Sequence, residues 1–427
     1  MLIPKIKSLS KSKLVKDSAS YTIISFLEKI SPFLVLPILT KNLSIEDVGL
    51  YVIYQTLIEV LKPIMTINID HAILINYYKV EKGKFKKYFS SALILFGYFF
   101  FFMLFVIIIF RDTISSLIKF PAIWLIFVCL NVFFSFLVEN RQNLWRITFN
   151  IKKYRNFTLG ISVVKSVAGI LLVFYSGLGW KGMIVGHLFG YSLFGIYAFI
   201  SFYKEDLTKW SADALFIKDI LKVSIPIAIH RFGIWLGSAG NKIIIASLIG
   251  TAATGSYGVV AVFGAVIAVL EGAISKAIIP HIYEKLKENT SKQNKLVVKM
   301  SYGIYLILIS VSIVVYFIGY YLMDYIFGKQ LNDTKLLLLP LIIAALFKGF
   351  YKLHVHYIFF TKKTLQVTKI TLFTGVLNVG LSYFLISNYG ITGAAYSLVI
   401  INFIQYVLSF KIGNKLVPMP WFKYFEK

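Results

Sequence analysis

Apolar segments of about 20 residues recur along the whole chain, and this recurrence limits the possible folds more than any other feature. A segment of that length crosses the hydrocarbon core of a bilayer as one helix. The 427-residue chain is 58% hydrophobic, above the usual range of soluble domains. We therefore predict an all-α polytopic membrane protein with about 12 transmembrane helices. The predicted spans are 19–40, 48–70, 88–110, 121–138, 157–176, 181–203, 221–247, 257–280, 300–323, 336–360, 366–387 and 391–410.

The basic residues indicate how these spans are oriented. The formal net charge is +26, which would suit a nucleic-acid partner, but most lysines and arginines lie in short runs between the apolar segments. The two tails and every second loop hold roughly five times as many basic residues as the opposite loops. Because cytoplasmic loops are the basic ones, both termini are predicted to be cytoplasmic, and no nucleic-acid partner is expected.

The chain also contains an internal repeat. The segment "LTKNLSIEDVGLYVIYQTL" resembles "IASLIGTAATGSYGVVAVF", and "YSGLGWKGMIVGHLFGYSLF" resembles "SNYGITGAAYSLVIINFIQY". The corresponding residues, 206 or 211 positions apart, are Gly49 with Gly255, Tyr51 with Tyr257, Gly179 with Gly390 and Gly182 with Gly393. Nearly equal offsets predict two pseudo-symmetric six-helix bundles, residues 1–206 and 207–427, in the same orientation around a central cavity.

Charged residues at mid-membrane depth indicate what that cavity holds. A lysine or arginine at the bilayer centre costs about 2.5–3.5 kcal/mol, so such residues face a wet cavity or a partner. The deep cations are Lys29, Lys62, Arg231, Lys348 and Lys352, and the deep acids are Glu28, Glu59 and Glu271. Lys242 lies nearer the outer mouth, three helical turns from Arg231 and therefore on the same face. The excess of cations predicts a diphosphate site that includes these six basic residues.

Two of these sites have a simpler interpretation. Lys348 and Lys352 are spaced i, i+4, so their charges repel unless an anion lies between them; otherwise Lys352 extends toward the cytoplasmic surface. Glu59 and Lys62 are spaced i, i+3 and could neutralise each other. Glu59, Glu271, Glu28 and Asp70 could also bind a coupling proton or sodium ion, although no spacing singles out an ion site.

Three segments resemble the Wzx-type polysaccharide flippases of the multidrug/oligosaccharidyl-lipid/polysaccharide (MOP) exporter superfamily. They are "FLVLPILTKNLSIEDVGLY", "KVSIPIAIHRFGIWLGSAGNKIIIASLIGTAATGSYG" and "ISNYGITGAAYS". The family's threonine-arginine turn has Lys41 here, and its Asp-Arg pair is Asn241 and Lys242, so the acid is lost and the cation kept.

The resemblance implies two six-helix bundles in a V and a multi-pass protein of the bacterial inner (plasma) membrane. It implies alternating-access transport of a polyprenyl-diphosphate-linked oligosaccharide from the cytoplasmic to the outer leaflet. The oligosaccharide would be a repeat unit of O-antigen, capsule or exopolysaccharide. A polysaccharide polymerase and a chain-length regulator are the further candidate partners.

Other functions fit the sequence less well. The chain contains no GxxxxGK[ST] phosphate loop and no HExxH motif, so we expect a transporter with no cofactor and no metal rather than an enzyme. A membrane-embedded polysaccharide polymerase is the enzymatic alternative, disfavoured by the short outer loops and the parallel repeat. A multidrug or small-molecule exporter of the same superfamily is the nearer alternative, but a cation exporter would need an acidic cavity.

Overall fold

The structure, a computed structural model, describes residues 20, 23, 24, 27, 33–209, 211–237, 240–288 and 290–421. These residues form helices and no strand. The helices are α1 (Phe33–Asn42), α2 (Ile45–Thr66), α3 (Ile69–Asn76), α4 (Lys82–Ile118), α5 (Ile123–Ile147), α6 (Ile151–Tyr175), α7 (Trp180–Lys204), α8 (Ala214–Leu236), α9 (Gly240–Leu248), α10 (Thr251–Glu288), α11 (Ser291–Phe327), a 3-10 helix (Lys329–Leu337), α12 (Leu338–Phe360) and α13 (Thr364–Leu416).

The all-α membrane fold is confirmed. Within the described part of the chain, nine helices are long and apolar enough to cross a membrane, and α8 with α9 makes a tenth if they form one broken span. The long helix α13 contains both predicted spans 366–387 and 391–410, which meet at a non-helical residue, Gly390. The first predicted span, 19–40, lies mostly outside the described residues.

Exposed apolar side chains cover many of these helices. In a soluble protein such large apolar surfaces would be a liability, whereas in a bilayer they face acyl chains of equal polarity. The aromatic members on α4 and α11 include Tyr98, Phe101, Phe102, Phe105, Phe110, Phe317 and Tyr321.

The described residues divide into two compact units by their packing. The first comprises residues up to Leu39 together with Leu50–Phe232, and the second comprises Thr40–Gly49 together with residues from Gly233 onward. These units differ from the two sequence halves, because residues 40–49 pack in the second unit and most of α8 packs in the first.

Glycines allow the closest helix contacts in each unit. In the first unit, a Cβ added at Gly186 of α7 would lie 2.2 Å from the backbone nitrogen of Gly169 in α6. In the second unit, a Cβ added at Gly49 would lie 1.9 Å from the carbonyl oxygen of Thr251, and one added at Gly255 would lie 2.8 Å from the nitrogen of Gly49. Gly49 and Gly255 correspond in the sequence repeat, and the structure places them against each other.

The second pair of repeated glycines shares a backbone conformation. Gly179 has φ 55° and ψ −136°, and Gly390 has φ 60° and ψ −144°. Only glycine adopts this region readily, because it has no Cβ. Each of the two residues immediately precedes a helical segment, α7 and the second half of α13, so the repeat in the sequence is also a repeat in the backbone.

Candidate functional site

A cavity of about 210 Å³ lies inside the second unit, between α10, α12 and α13. Its charged lining residues are Glu271, Lys348 and Lys352, and Asn402 adds an amide. Most of the remaining wall is small, which leaves the space open: Ala261, Gly264, Ala265, Ala268, Ala344, Ala345 and Gly349. Lys348 is ten residues into α12, about 15 Å along the axis, which is half the thickness of a typical hydrocarbon core.

An ion pair neutralises one of the two cavity lysines. Nζ of Lys352 donates to Oε2 of Glu271 at 2.5 Å, and Oγ of Ser275 donates to Oε1 of the same carboxylate at 2.6 Å. The Glu271 side chain is 4% exposed, whereas that of Lys352 is 40% exposed. A carboxylate so deeply buried needs these partners, because an isolated charge in a low-dielectric interior is strongly unfavourable.

The other cavity lysine has only neutral partners among the described residues. Nζ of Lys348 donates to Oε1 of Gln405 at 2.7 Å and lies 5.0 Å from the ring centroid of Tyr351. Gln405 is fully buried and donates in turn to Oγ1 of Thr374, so the amide is held in place. With one carboxylate for two lysines, the cavity keeps an excess positive charge at Lys348.

In the first unit, Arg231 is in contact with a histidine and, through it, an acid. Nη2 of Arg231 lies 3.2 Å from Nε2 of His71, and Nδ1 of His71 lies 2.9 Å from Oδ2 of Asp70. The second pair is close enough for an ion pair but is not aligned as a hydrogen bond. Arg231 is exposed on α8, so its remaining N–H donors are accessible.

The alternative of a local ion pair between Glu59 and Lys62 is wrong. Nζ of Lys62 instead forms an ion pair with Glu139 of α5, and Glu59 is exposed. The predicted fourth span ended at residue 138, where the apolar run ends, but α5 continues to Ile147 and carries Glu139 to the level of Lys62. Lys62 is therefore neutralised by an acid 77 residues away in the sequence.

The structure describes α8 to Leu236 and α9 from Gly240, and residues 238 and 239 between them lie outside the described residues. The expected common face of Arg231 and Lys242 stays a prediction. Lys242 is half-buried in α9. Lys29 and Glu28 lie outside the described residues, and their roles stay predictions.

A buried polar cluster in the second unit was not predicted. Asn241, which is fully buried, donates to Oγ of Ser397 at 2.8 Å and to the carbonyl of Ala394 at 3.0 Å. Its Oδ1 accepts from Asn378 at 2.7 Å and from Ser382 at 2.9 Å. The side-chain amide therefore has four partners without any charge. The i, i+4 spacing of Asn378 and Ser382 in an apolar helix was the available signal.

Outside the spans, the carboxylates of Glu205 and Asp213 pair with basic residues of neighbouring helices. Burial alone would raise the pKa of Glu205, but the hydrogen bond and charge of Arg141, with Lys153 nearby, lower it overall. A hydrogen bond from Lys87 lowers the pKa of Asp213. The guanidinium of Arg141 is buried and stacks 4.2 Å from the ring centroid of Trp145, so Glu205 supplies its countercharge.

The fold and the family follow from comparisons with known proteins. An inward-facing multidrug resistance MATE family transporter of the MOP superfamily matches with a TM-score of 0.70 and 14% identity, over 91% of this chain and 94% of that one. The lipid II flippase MurJ, in an inward closed conformation, matches with a TM-score of 0.73 and 15% identity, over 92% of this chain and 87% of that one. The apolar helices indicate a multi-pass membrane protein, and its fold is similar to the folds of these two solved structures.

A family model described as "Polysaccharide biosynthesis protein" matches residues 38–336, and the chain belongs to this family. Over 380 residues, 86% of this chain and 90% of the relative, it is also 24% identical to a protein of the Lsg locus of Haemophilus influenzae.

Proposed function

We propose that this protein is a flippase that moves a polyprenyl-diphosphate-linked oligosaccharide from the cytoplasmic to the outer leaflet of the bacterial inner membrane by alternating access. Both termini are cytoplasmic in this proposal. Membership of the polysaccharide biosynthesis family supports the glycan substrate, and the MOP-superfamily fold supports transport. The observation that carries the proposal is the excess positive charge at Lys348 in the cavity of the second unit.

A diphosphate suits this cavity better than a cationic drug. Lysine binds phosphate oxygens as a point charge, and the low-dielectric surroundings strengthen each contact. Lys348 has no carboxylate to release before it binds an anion, whereas Lys352 must exchange Glu271 for a phosphate oxygen. Lys348 therefore makes the first contact in this unit, and Lys352 joins when the ion pair opens.

The other predicted cations rank by their partners. Arg231 contacts a histidine and is exposed, so it stays a proposed anion-binding residue of the first unit. Lys62 is engaged by Glu139 and takes a secondary role. Lys29 and Lys242 stay in the proposal on the sequence alone.

The driving force is proposed to be the membrane potential. An inside-negative potential favours the outward movement of an anion by about 2.3 kcal/mol per charge per 100 mV. Ion coupling through Glu271, Asp70, Glu59 or Glu28 would instead make transport depend on a proton or sodium gradient. A polymerase and a chain-length regulator remain proposed partners.

The leaflet location of the lipid-linked oligosaccharide tests this function. Cells that lack the protein are complemented with the wild type, Lys348→Met, Arg231→Ala or Lys276→Gln, and the outer-leaflet sugar is modified with a membrane-impermeant reagent. Lys276 is the matched control, because it is an exposed lysine of α10 outside the cavity lining.

We expect the wild type and Lys276→Gln to expose the sugar at the outer face. Lys348→Met and Arg231→Ala should reduce exposure at least about tenfold at equal protein levels, since one lost charge-assisted contact is worth roughly 1.5–3 kcal/mol. If deletion leaves sugar exposure unchanged, the flippase proposal is wrong, and export of small molecules would be measured instead.

A further inference from the structure

A second, larger pocket lies at the end of the second unit where α11 passes into the 3-10 helix. It has a volume of about 700 Å³ and is lined by residues of α11, the 3-10 helix, α12 and the second half of α13. It shares no lining residue with the charged cavity. Its polar lining residues are three tyrosines, Tyr316, Tyr320 and Tyr396, followed by Asn332, Asp333 and Lys335.

The tyrosines provide flat apolar surfaces with polar edges. The rings of Tyr316 and Tyr320 are stacked with centroids 6.0 Å apart and planes inclined by 29°. None of the three hydroxyls has a hydrogen-bond partner among the described residues. Nζ of Lys335 also lies 5.8 Å from the ring centroid of Tyr320. A ring face that is left open can cover the C–H face of a ligand while the hydroxyl bonds to a polar group at the edge.

The charges of the pocket disfavour a phosphate. Nζ of Lys335 is held by Asp324, with its Oδ2 at 2.5 Å, so the only lysine in the lining is neutralised. Asp333 is exposed and forms no ion pair with the described residues, so its charge would repel an anion. Asn332 beside it is exposed and offers an amide donor and acceptor.

We propose that this tyrosine pocket binds sugar residues of the transported glycan. Aromatic faces with a few amide, hydroxyl and carboxylate groups match the alternating C–H and O–H surfaces of a pyranose, and the volume is that of a typical ligand pocket. The proposal rests on the proposed function for the source of the sugar. It adds a site for the uncharged part of the substrate, separate from the diphosphate cavity.

The position of the pocket suggests when it acts. Lys292, Lys295 and Lys299 lie at the start of α11, in a basic segment that is predicted to be cytoplasmic. The 3-10 helix follows the other end of α11. The tyrosine pocket is then on the outer side and binds the glycan as it arrives there. Its competing occupant is a lipid acyl chain, because tyrosines also line the membrane interface.

Thiol protection in purified full-length protein distinguishes these occupants. Cys129 is the only cysteine, so a Cys129→Ala background allows Leu336→Cys, a lining position that is 77% exposed, to be labelled alone with a polar maleimide. Tyr321→Cys on α11, which is 70% exposed and outside the lining, is the matched control. Gel filtration confirms that each variant is folded.

The probes are the water-soluble oligosaccharide released by mild acid from the cell's lipid-linked intermediates and a polyprenyl diphosphate that lacks sugar. We expect the oligosaccharide to slow labelling of Leu336→Cys at least about threefold and to leave Tyr321→Cys unchanged. Adding Tyr320→Ala should weaken the protection by about three- to tenfold, the range for one lost aromatic contact.

Two outcomes would overturn the sugar site. Equal protection by the sugar-free lipid would make the occupant an acyl chain, and no protection by the oligosaccharide would leave the pocket without a glycan role. Neither outcome tests the flippase proposal, because that proposal is decided by measuring the leaflet location of the lipid-linked oligosaccharide. Conversely, oligosaccharide protection in a protein that fails to translocate lipid would keep the sugar site and refute the flippase.

Discussion

Gly49→Ala perturbs the closest backbone contact between the two sequence repeats. A Cβ at this position would lie 1.9 Å from the carbonyl oxygen of Thr251, and carbon atoms do not approach within 3.0 Å of such a neighbour. The atoms nearest to this Cβ belong to the backbone of α10, so no side-chain rotation relieves the clash. The start of α2 and α10 must therefore separate by at least about 1 Å, because close-packed interiors cannot absorb an added methyl group.

The size of the effect follows from this separation. Inserting a carbon into a well-packed contact costs about 1–3 kcal/mol. Taking about 2 kcal/mol, and a unit of roughly 200 residues, we expect the midpoint of thermal unfolding to fall by about 4–8 °C. Gly255→Ala should act in the same direction, and the double variant should lose less than the sum, since both substitutions open one contact.

The assay is heating of detergent-solubilised protein followed by gel filtration, with the monodisperse peak measured at each temperature. Gly97→Ala is the matched control, because a Cβ there meets nothing within 4 Å in the middle of α4. This control should keep the wild-type midpoint or rise slightly, as alanine favours a helix. If Gly49→Ala has the same midpoint as Gly97→Ala, the reasoning about the contact is refuted.

Three further predictions use the same heating assay. Gly390→Ala should lower the midpoint by the equivalent of about 1–3 kcal/mol, because only glycine readily adopts φ of 60° with ψ of −144°. The control is Gly380→Ala, and equal midpoints for the two variants would contradict this prediction. Asn241→Asp should destabilise the protein by about 1–3 kcal/mol, because a carboxylate cannot donate the two hydrogen bonds of the buried amide and lies against a backbone carbonyl. Wild-type stability of this variant would show that the cluster tolerates a charge. Glu205→Gln should destabilise by up to about 1 kcal/mol at pH 7, discounted for the exposure of Glu205, because Arg141 loses its countercharge. Folding lowers the pKa of Glu205, so this pair stabilises the wild type above the ordinary pKa of 4.5. The stabilisation is lost as the pH falls through the pKa of the folded state. The difference in stability between the wild type and Glu205→Gln should therefore vanish in acid. A difference that persists at low pH would show that the pair is not its cause.

Much of the fold could be predicted because its signals are local or repeat along the chain. Apolar runs predict where helices cross the membrane, and the repeat predicts that Gly49 and Gly255 play equivalent parts. The ends of helices were less accurate, because a helix continues after its apolar run stops. The extension of α5 to Ile147 is an example, and it placed Glu139 inside a helix where the hydropathy indicated a loop.

The partners of the buried charges could not be predicted, because tertiary packing chooses them. Glu271 and Lys352 are 81 residues apart, and no spacing rule selects that pair over another acid and cation. The interruption after Leu236 was missed for a similar reason: "WLGSAGNK" is apolar enough to read as continuous helix. The predicted common face of Arg231 and Lys242 assumed one unbroken helix over 221–247.

The ion pairs change which cations can explain the proposed transport of an anion. Counting charges along the sequence treats all lysines alike, whereas in the structure Lys62 and Lys352 each have a carboxylate and Lys348 has only an amide and a tyrosine ring. An anion gains the full charge of Lys348 but must displace Glu271 to gain that of Lys352. Loss of Lys348 should therefore weaken diphosphate binding more than loss of Lys352, although the two lysines are one turn apart on the same helix. Equal losses would mean that the ion pair with Glu271 opens without cost before the anion binds.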